Sequence, residues 1–352
     1  MSGKIRFERH MQKSTLHNPM MGFELDTQDL EIRKDPLTGR QSVFNPRLED
    51  KGIAFFGKTD TDLIHRLAKQ SEEKCFLCGD RWRKTTPTYP DAIVPGGRVQ
   101  VGDSVLFPNL FPISRVHAVI RVGSRHYVPL NEFSPSVVEE AFQASTRFIN
   151  AFFDSDGGTR FFAINGNYLG PAGASIPHPH FQVVGSDIPF SHLEELLRLS
   201  RKYREENGTC YWTDLVEKER ELGVRFIAQM GSVSWITSYS PQGTNETLGI
   251  FTEKRDFLEM KEKDLVDLAA GFSAVLAGYS ALGLSTFNFT VYSGPLGESD
   301  EAFRCFFRII SRQNVYENYR TDDYFLQKLL RNELILNTPE SLATILRKEF
   351  ER

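Results

Sequence analysis

The sequence predicts an α+β fold of two similar units, each an antiparallel sheet with a helix packed across it. Three observations lead there. Residues 117–167 read as strand, short connection, helix, glycine turn and strand. Residues 248–295 repeat that series at nearly the same spacing, with RDFLEMKEKD standing where RHYVPLNEFS stood. An ancient duplication would produce this, as would two similar units that arose separately. The composition, 40% apolar and 25% charged over 352 residues, is that of an ordinary globular chain with enough apolar side chains for a sizeable core.

The elements follow in chain order. At 35–46, DPLTGRQSVFNP offers a proline and glycine turn leading into a strand. Ser134 can cap the first long helix and Pro135 suits its first turn, while Val138, Ala141, Phe142, Phe148, Ile149 and Phe152 form its apolar stripe. In SIPHPHFQVV (175–184), Pro179 makes a helix improbable, so the segment is extended. SDIPFSHLEE then changes from strand-like to helix-like pattern, which sets a boundary between units at 25–186 and 187–352. The charged runs RKYREENG and EKERELG are solvated helix faces and turns. The most apolar long stretch, 265–284, carries Asp267 and several Ser and Gly residues, and a buried helix explains it better than a membrane span.

The formal net charge is −4 and no long basic run occurs, which argues against a nucleic-acid partner. Two of the four cysteines, Cys75 and Cys78, are only three apart, unlike a secreted disulfide framework. With no apolar leader near residue 1, the expectation is a reducing, cytoplasmic setting without a membrane partner.

Two features carry chemistry. Along an extended segment alternate side chains share a face, so His178, His180 and Gln182 line up on one side, with Pro179 and Phe181 on the other. An isolated H-x-H could equally be two surface histidines on an edge strand. CFLCGD (75–80) shifts the balance: C-x-x-C supplies half of a tetrahedral zinc shell, and without a second such pair histidines must complete it. A redox dithiol and plain buried thiols are the competing readings. Candidates for the remaining ligands are His117, His126, His178 and His180. If the metal anchors one histidine of the pair, its neighbour is held in place as a nucleophile toward phosphorus. Gln182 can donate to phosphoryl oxygens as charge develops, and the small, Gly-rich NYLGPAGASIP suits close approach to a phosphate.

The ordered set of DPLTG turn, CFLC, strand-end Asn109, histidine before a helix, N-x-x-G-x-x-G-A-S and HPHxQ resembles the galactose-1-phosphate uridylyltransferase branch of the histidine triad superfamily, including ADP-glucose phosphorylase-type relatives. It covers most of 30–185 and, more faintly, the second half. The resemblance implies two histidine-triad-like repeats, 25–186 with zinc and nucleophile and 187–352 degenerate. It implies Zn2+ held by Cys75, Cys78, His126 and His178, with His117 as fallback for His126. His180 would be the nucleophile that takes a nucleotidyl group, with Gln182 and Ser175 on the phosphoryl group, Asn167 beside it, and Asn109 and Phe76 near the nucleoside. Partners would be a nucleotide sugar and a sugar 1-phosphate or phosphate, and the family's habit of dimerising carries over as an expected homodimer.

Departures from the family pattern are informative. Phe181 replaces a usual glycine, which is expected to make the pocket edge narrower or differently shaped. Leu110 stands where the uridylyltransferases often have aspartate, as in the phosphorylase type. Arg47 is an offset candidate for the family's phosphate arginine. Arg304 and Arg308 occupy the place of a second-repeat H-x-H, so no second metal site is expected, and the segment that reads galactose has no convincing counterpart. The implied function is a galactose-1-phosphate uridylyltransferase-like nucleotidyltransferase. A nucleotide-sugar phosphorylase, a nucleotide hydrolase of the same superfamily and a zinc-stabilised binding scaffold are the alternatives.

Overall fold

The computed structural model describes residues 4–352. A long hairpin opens the chain, with β1 (Glu8–Asn18) paired to β2 (Glu24–Lys34) and β3 (Gln41–Phe44) added antiparallel to β2. The turn before β3 is the DPLTG turn: main-chain N–H groups of Leu37 and Thr38 donate to Asp35 Oδ1, and Gly39 takes φ +71°.

Ten strands then form the main sheet: β4 (Val99–Val101), β5 (Ser104–Pro108), β6 (Val116–Arg121), β7 (Phe161–Tyr168), β8 (His180–Ser186), β9 (Phe226–Met230), β10 (Val233–Thr237), β11 (Thr247–Phe251), β12 (Phe287–Tyr292) and β13 (Phe306–Ser311). Finally β14 (Glu333–Ile335) returns to the small sheet, parallel to β3.

The order of the main sheet is β4-β5-β6-β8-β7-β12-β13-β11-β10-β9, antiparallel throughout. It reads the same from either end when β4 exchanges with β9, β5 with β10, β6 with β11, β8 with β13 and β7 with β12. The fold is therefore α+β with two histidine-triad-like repeats, and the β7–β12 pairing is their seam. In each repeat a single 3-10 turn, Leu130–Glu132 or Phe257–Glu259, leads into a long helix, Pro135–Asp156 or Glu262–Ala281. The two helices pack against each other on one face of the sheet.

The sequence explains these helices. Every residue of the stripe Val138, Ala141, Phe142, Phe148, Ile149 and Phe152 is buried. Ser134 occupies the N-cap and Pro135 the first turn, but the Ser134 hydroxyl meets Ser136 Oγ at 2.7 Å and makes no capping bond. The apolar 265–284 stretch forms most of the second helix and buries Leu268, Phe272, Val275 and Leu276. No helix among the described residues is long and apolar enough to cross a membrane.

Strand alternation decides which side chains reach the open face. On β8, Phe181 and Val183 point under the helices while His180, Gln182 and Val184 face the other way. Phe181 is 2% exposed and packs its ring 4.7 Å from Phe289, 5.6 Å from Phe142 and 6.1 Å from Phe272. The expectation that Phe181 narrows or reshapes the pocket edge is thus corrected: the ring lies in the core, on the opposite face from His180. Gly166 is the complementary feature on β7, since a Cβ there would come within 2.2 Å of the Phe289 ring.

A Phe181→Ala substitution should therefore destabilise the fold by about 3–5 kcal/mol, the usual cost of an aromatic cavity. Urea unfolding measures it. A variant of unchanged stability would place the ring outside the core.

Candidate active site

Four buried side chains converge beside the start of β8: Cys75, Cys78, His126 and His178, with ligand atoms all within 4.8 Å of one another. The two cysteines sit on a tight turn between the helices Thr61–Glu72 and Arg81–Thr85, where Cys78 N–H donates to Cys75 O and Arg81 N–H to Cys78 O. Cys78 Sγ lies 3.2 Å from His126 Nδ1 and 3.3 Å from His178 Nδ1, and Cys75 Sγ lies 3.9 Å from His178 Nδ1. Metal–sulfur and metal–nitrogen bonds of about 2.3 and 2.0–2.1 Å in a tetrahedron need edges of roughly 3.3–3.8 Å, close to the contacts found here, so the set fits a zinc-like ion.

The donor chemistry fits as well. Burial holds the His178 imidazole down to about 3 and lowers His126, so both rings are neutral. His178 Nε2–H donates to Gly123 O at 3.5 Å and His126 Nε2–H meets Ser71 Oγ at 2.9 Å, which leaves both Nδ1 lone pairs for the thiols. Burial, followed by the neighbouring Cys75, pushes the Cys78 thiol up to about 11. The Cys78 sulfur, buried beside three other donor groups, resists ionising without a cation among them.

His180 comes next along the chain and stands outside the cluster. Its Nδ1–H donates to the main-chain carbonyl of His178 at 2.9 Å, so the lone pair is on Nε2. Burial lowers its basicity, which keeps the ring neutral. On the sheet Arg121 is its register partner on β6; the guanidinium donates to Gly123 O at 2.7 Å and to Gly79 O at 3.3 Å, clamping together the two loops that carry Cys78 and His126.

A polar row crosses the open face beside it. Gln182 lies opposite Asn165, which is opposite Thr290, which is opposite Arg308. Asn167 pairs with Asn288, whose amide nitrogen donates to Asn167 Oδ1 at 2.7 Å; Arg312 in turn donates to Asn288 Oδ1 and to Asp322. Ser175 is exposed on the Gly-rich loop, next to a cavity of about 280 Å³ lined by Leu67, Pro171, Ile176 and Tyr319. The loop begins at Leu169 with φ 64° and ψ 167°, a conformation that favours glycine and costs about 1–3 kcal/mol in other residues.

Other sequence candidates fall elsewhere. Asn109 closes β5 and contacts His117, and Phe76 is 40% exposed on the cysteine loop. His117 makes no contact with the thiols and instead meets Gln182. Arg47 is not brought to the site: its exposed side chain pairs with Asp26 at 3.4 Å on the small sheet. Arg304 is tied to the carbonyls of Thr252 and Phe303, and Arg308 is half-buried against His192 and Glu246. Arg121, Asn165, Asn288, Thr290 and Arg312 escaped sequence reasoning. The polar–apolar alternation of FFAINGNY and FNFTVY was the available signal for the asparagines and the threonine.

Comparisons agree with this architecture. No protein-family profile matches the chain. An uncharacterized protein of Archaeoglobus fulgidus is 29% identical over 330 residues, spanning 94% of this chain and 95% of its own. Among solved structures, an ADP-glucose phosphorylase from Arabidopsis thaliana with bound ADP-glucose superposes with a TM-score of 0.70 at 17% identity, covering 91% of this chain and 98% of that one. A uridylyltransferase does so with 0.66 at 17%, covering 91% and 98%. The chain has the fold of these proteins.

Titration of metal-free protein with Zn2+ should release protons, and the apparent affinity should rise with pH, because the Cys78 proton competes with the ion below its raised pKa. Cys75→Ser should abolish stoichiometric metal. Unchanged metal content in that variant would remove Cys75 from the shell.

Proposed function

We propose that this chain is a zinc-containing nucleotidyltransferase acting on nucleotide sugars by double displacement, with His180 as nucleophile. Cys75, Cys78, His126 and His178 would hold the ion, whose contribution is to fix the His178 segment. The observation that carries the reading is the His180 ring itself: neutral, tied through Nδ1–H to the His178 carbonyl, with Nε2 unprotonated.

In the first step the Nε2 lone pair attacks the α-phosphorus. An N–P bond forms, the bond from phosphorus to the bridging oxygen breaks, and sugar 1-phosphate leaves with that electron pair. In the second step an oxygen of phosphate or of another sugar 1-phosphate attacks phosphorus and Nε2 recovers its lone pair. The chain supplies alignment and donors to the phosphoryl oxygens. Gln182 and Ser175 are the proposed donors, Asn167 lies beside them, and Asn109 and Phe76 flank the nucleoside. The repeat 25–186 would carry this chemistry while 187–352 completes the sheet, in a cytoplasmic homodimer.

A phosphorylase is the second reading. Leu110 in place of an aspartate, together with the fold shared with an ADP-glucose phosphorylase, favours inorganic phosphate as acceptor. Transfer to water or a turnover-free scaffold has no specific support.

Incubation with labelled nucleotide sugars should give an acid-labile, base-stable adduct, and its discharge by phosphate, sugar 1-phosphate or water names the reaction. His180→Gly should form none while keeping its metal. Because burial lowers the His180 pKa, protonation sets in only below the ordinary imidazole value of about 6.5. Adduct formation should therefore persist below that pH and fail only as pH drops through the lowered value. An adduct formed equally well by His180→Gly would defeat the proposal.

A further inference from the structure

We infer that His117 is a positioning residue for Gln182: it dictates which edge of the Gln182 carboxamide faces the phosphoryl group. The inference rests on the nucleotidyl-transfer reading and assigns a role to a histidine that supplies neither metal ligand nor nucleophile.

A carboxamide has a donor end and an acceptor end of nearly the same shape. Beside a phosphoryl group that gains negative charge only the NH2 end helps, and the carbonyl end repels. Something must therefore hold Gln182 one way round. His117 Nε2 lies 2.7 Å from Gln182 Oε1, and an oxygen there can only accept, so the contact requires a proton on Nε2.

The chain supplies that proton placement. The main-chain N–H of Ile113, 3.3 Å from His117 Nδ1, can only donate, so Nδ1 keeps the lone pair and a neutral ring carries its hydrogen on Nε2. A third contact competes and loses. Asn109 Nδ2 is 3.3 Å from Nε2, its orientation set by Phe111 N–H donating to Asn109 Oδ1 at 2.9 Å. A neutral imidazole has one such lone pair, and Nδ1 holds it. The opposite tautomer would set two N–H groups against each other at Ile113 and forfeit the shortest of the three contacts.

The result is directional. With Oε1 held by His117, the Gln182 amide nitrogen is left toward the open face that also carries His180, two residues earlier on β8. Asn165, opposite on β7, does not compete for it, since its oxygen accepts from Thr290 Oγ1 at 2.8 Å and its nitrogen donates to Ala163 O at 3.3 Å. His117 itself is 6% exposed and lies on β6 opposite Val184, one diagonal step from Gln182.

The test joins a spectrum to kinetics. Long-range 1H–15N correlation on the 15N-labelled holoprotein, with the His117 signal assigned by its loss in His117→Gln, should show hydrogen on Nε2 and a bare Nδ1. Hydrogen on Nδ1 would overturn the inference. In single-turnover adduct formation, His117→Leu should slow the chemical step on the order of 10- to 100-fold, somewhat less than deleting an oxyanion donor outright. Nucleotide-sugar affinity and zinc content should stay at wild-type levels. His117→Gln, which returns an N–H near the Nε2 position, should recover most of the rate. Equal rates in wild type and His117→Leu, or equal impairment in the Leu and Gln variants, would reduce His117 to a packing role. If wild-type protein formed no adduct with any nucleotide sugar, the reaction would be refuted, and the spectrum, which uses no substrate, would still decide the tautomer.

Discussion

The structure depends on one hydrogen bond, from His180 Nδ1–H to the carbonyl of His178, because it joins the part of the chain that is fixed to the proposed nucleophile. The carbonyl cannot move, since the His178 ring is fully buried among Cys75, Cys78 and His126. Behind it Phe181 is packed among Phe142, Phe272 and Phe289 from both long helices and β12. The imidazole between these anchors has one tautomer, with its lone pair on Nε2. Few groups are needed to hold an unremarkable side chain in one orientation and one tautomer.

The same device recurs one step along the sheet. His117 and Gln182 are each polar groups with two chemically distinct ends, and each is turned one way by a partner that can play only one part: a main-chain N–H for the histidine, the histidine for the glutamine. Orientation here is set by elimination, because a wrong tautomer or a flipped amide leaves like facing like in a poorly solvated place. The ten-stranded sheet makes this possible by holding side chains of five strands at fixed spacing on one open face.

Much of this was legible in the chain. Two strand–helix–strand segments at equal spacing disclosed the repeat, because a helix stripe and an alternating strand leave local periodicity. The pairing of β7 with β12 left no such trace: strands more than a hundred residues apart meet at the seam, and register between them is a tertiary fact. C-x-x-C and H-P-H drew attention to Cys75, Cys78 and His178, since few other arrangements explain paired thiols and paired imidazoles. Arg121 and His117 were misjudged or missed for a common reason. Their partners, the Gly79 and Gly123 carbonyls and the Gln182 amide, come from other loops and strands. Comparison with a glycine-bearing family suggested that Phe181 changes the pocket edge, although the strand alternation that puts it on the face opposite His180 also sends it to the core. Arg47 was carried over by position along the chain, and its place on the small sheet leaves it paired with Asp26.

The measurement that bears most directly on this account is the site of attachment in the covalent intermediate. Trapped with a nucleotide sugar and examined by 31P–15N correlation, the nucleotidyl group should be bonded to Nε2 of His180, the nitrogen that the His178 carbonyl leaves free. A phosphorus bonded to Nδ1 of that ring, or to any other residue, would contradict it.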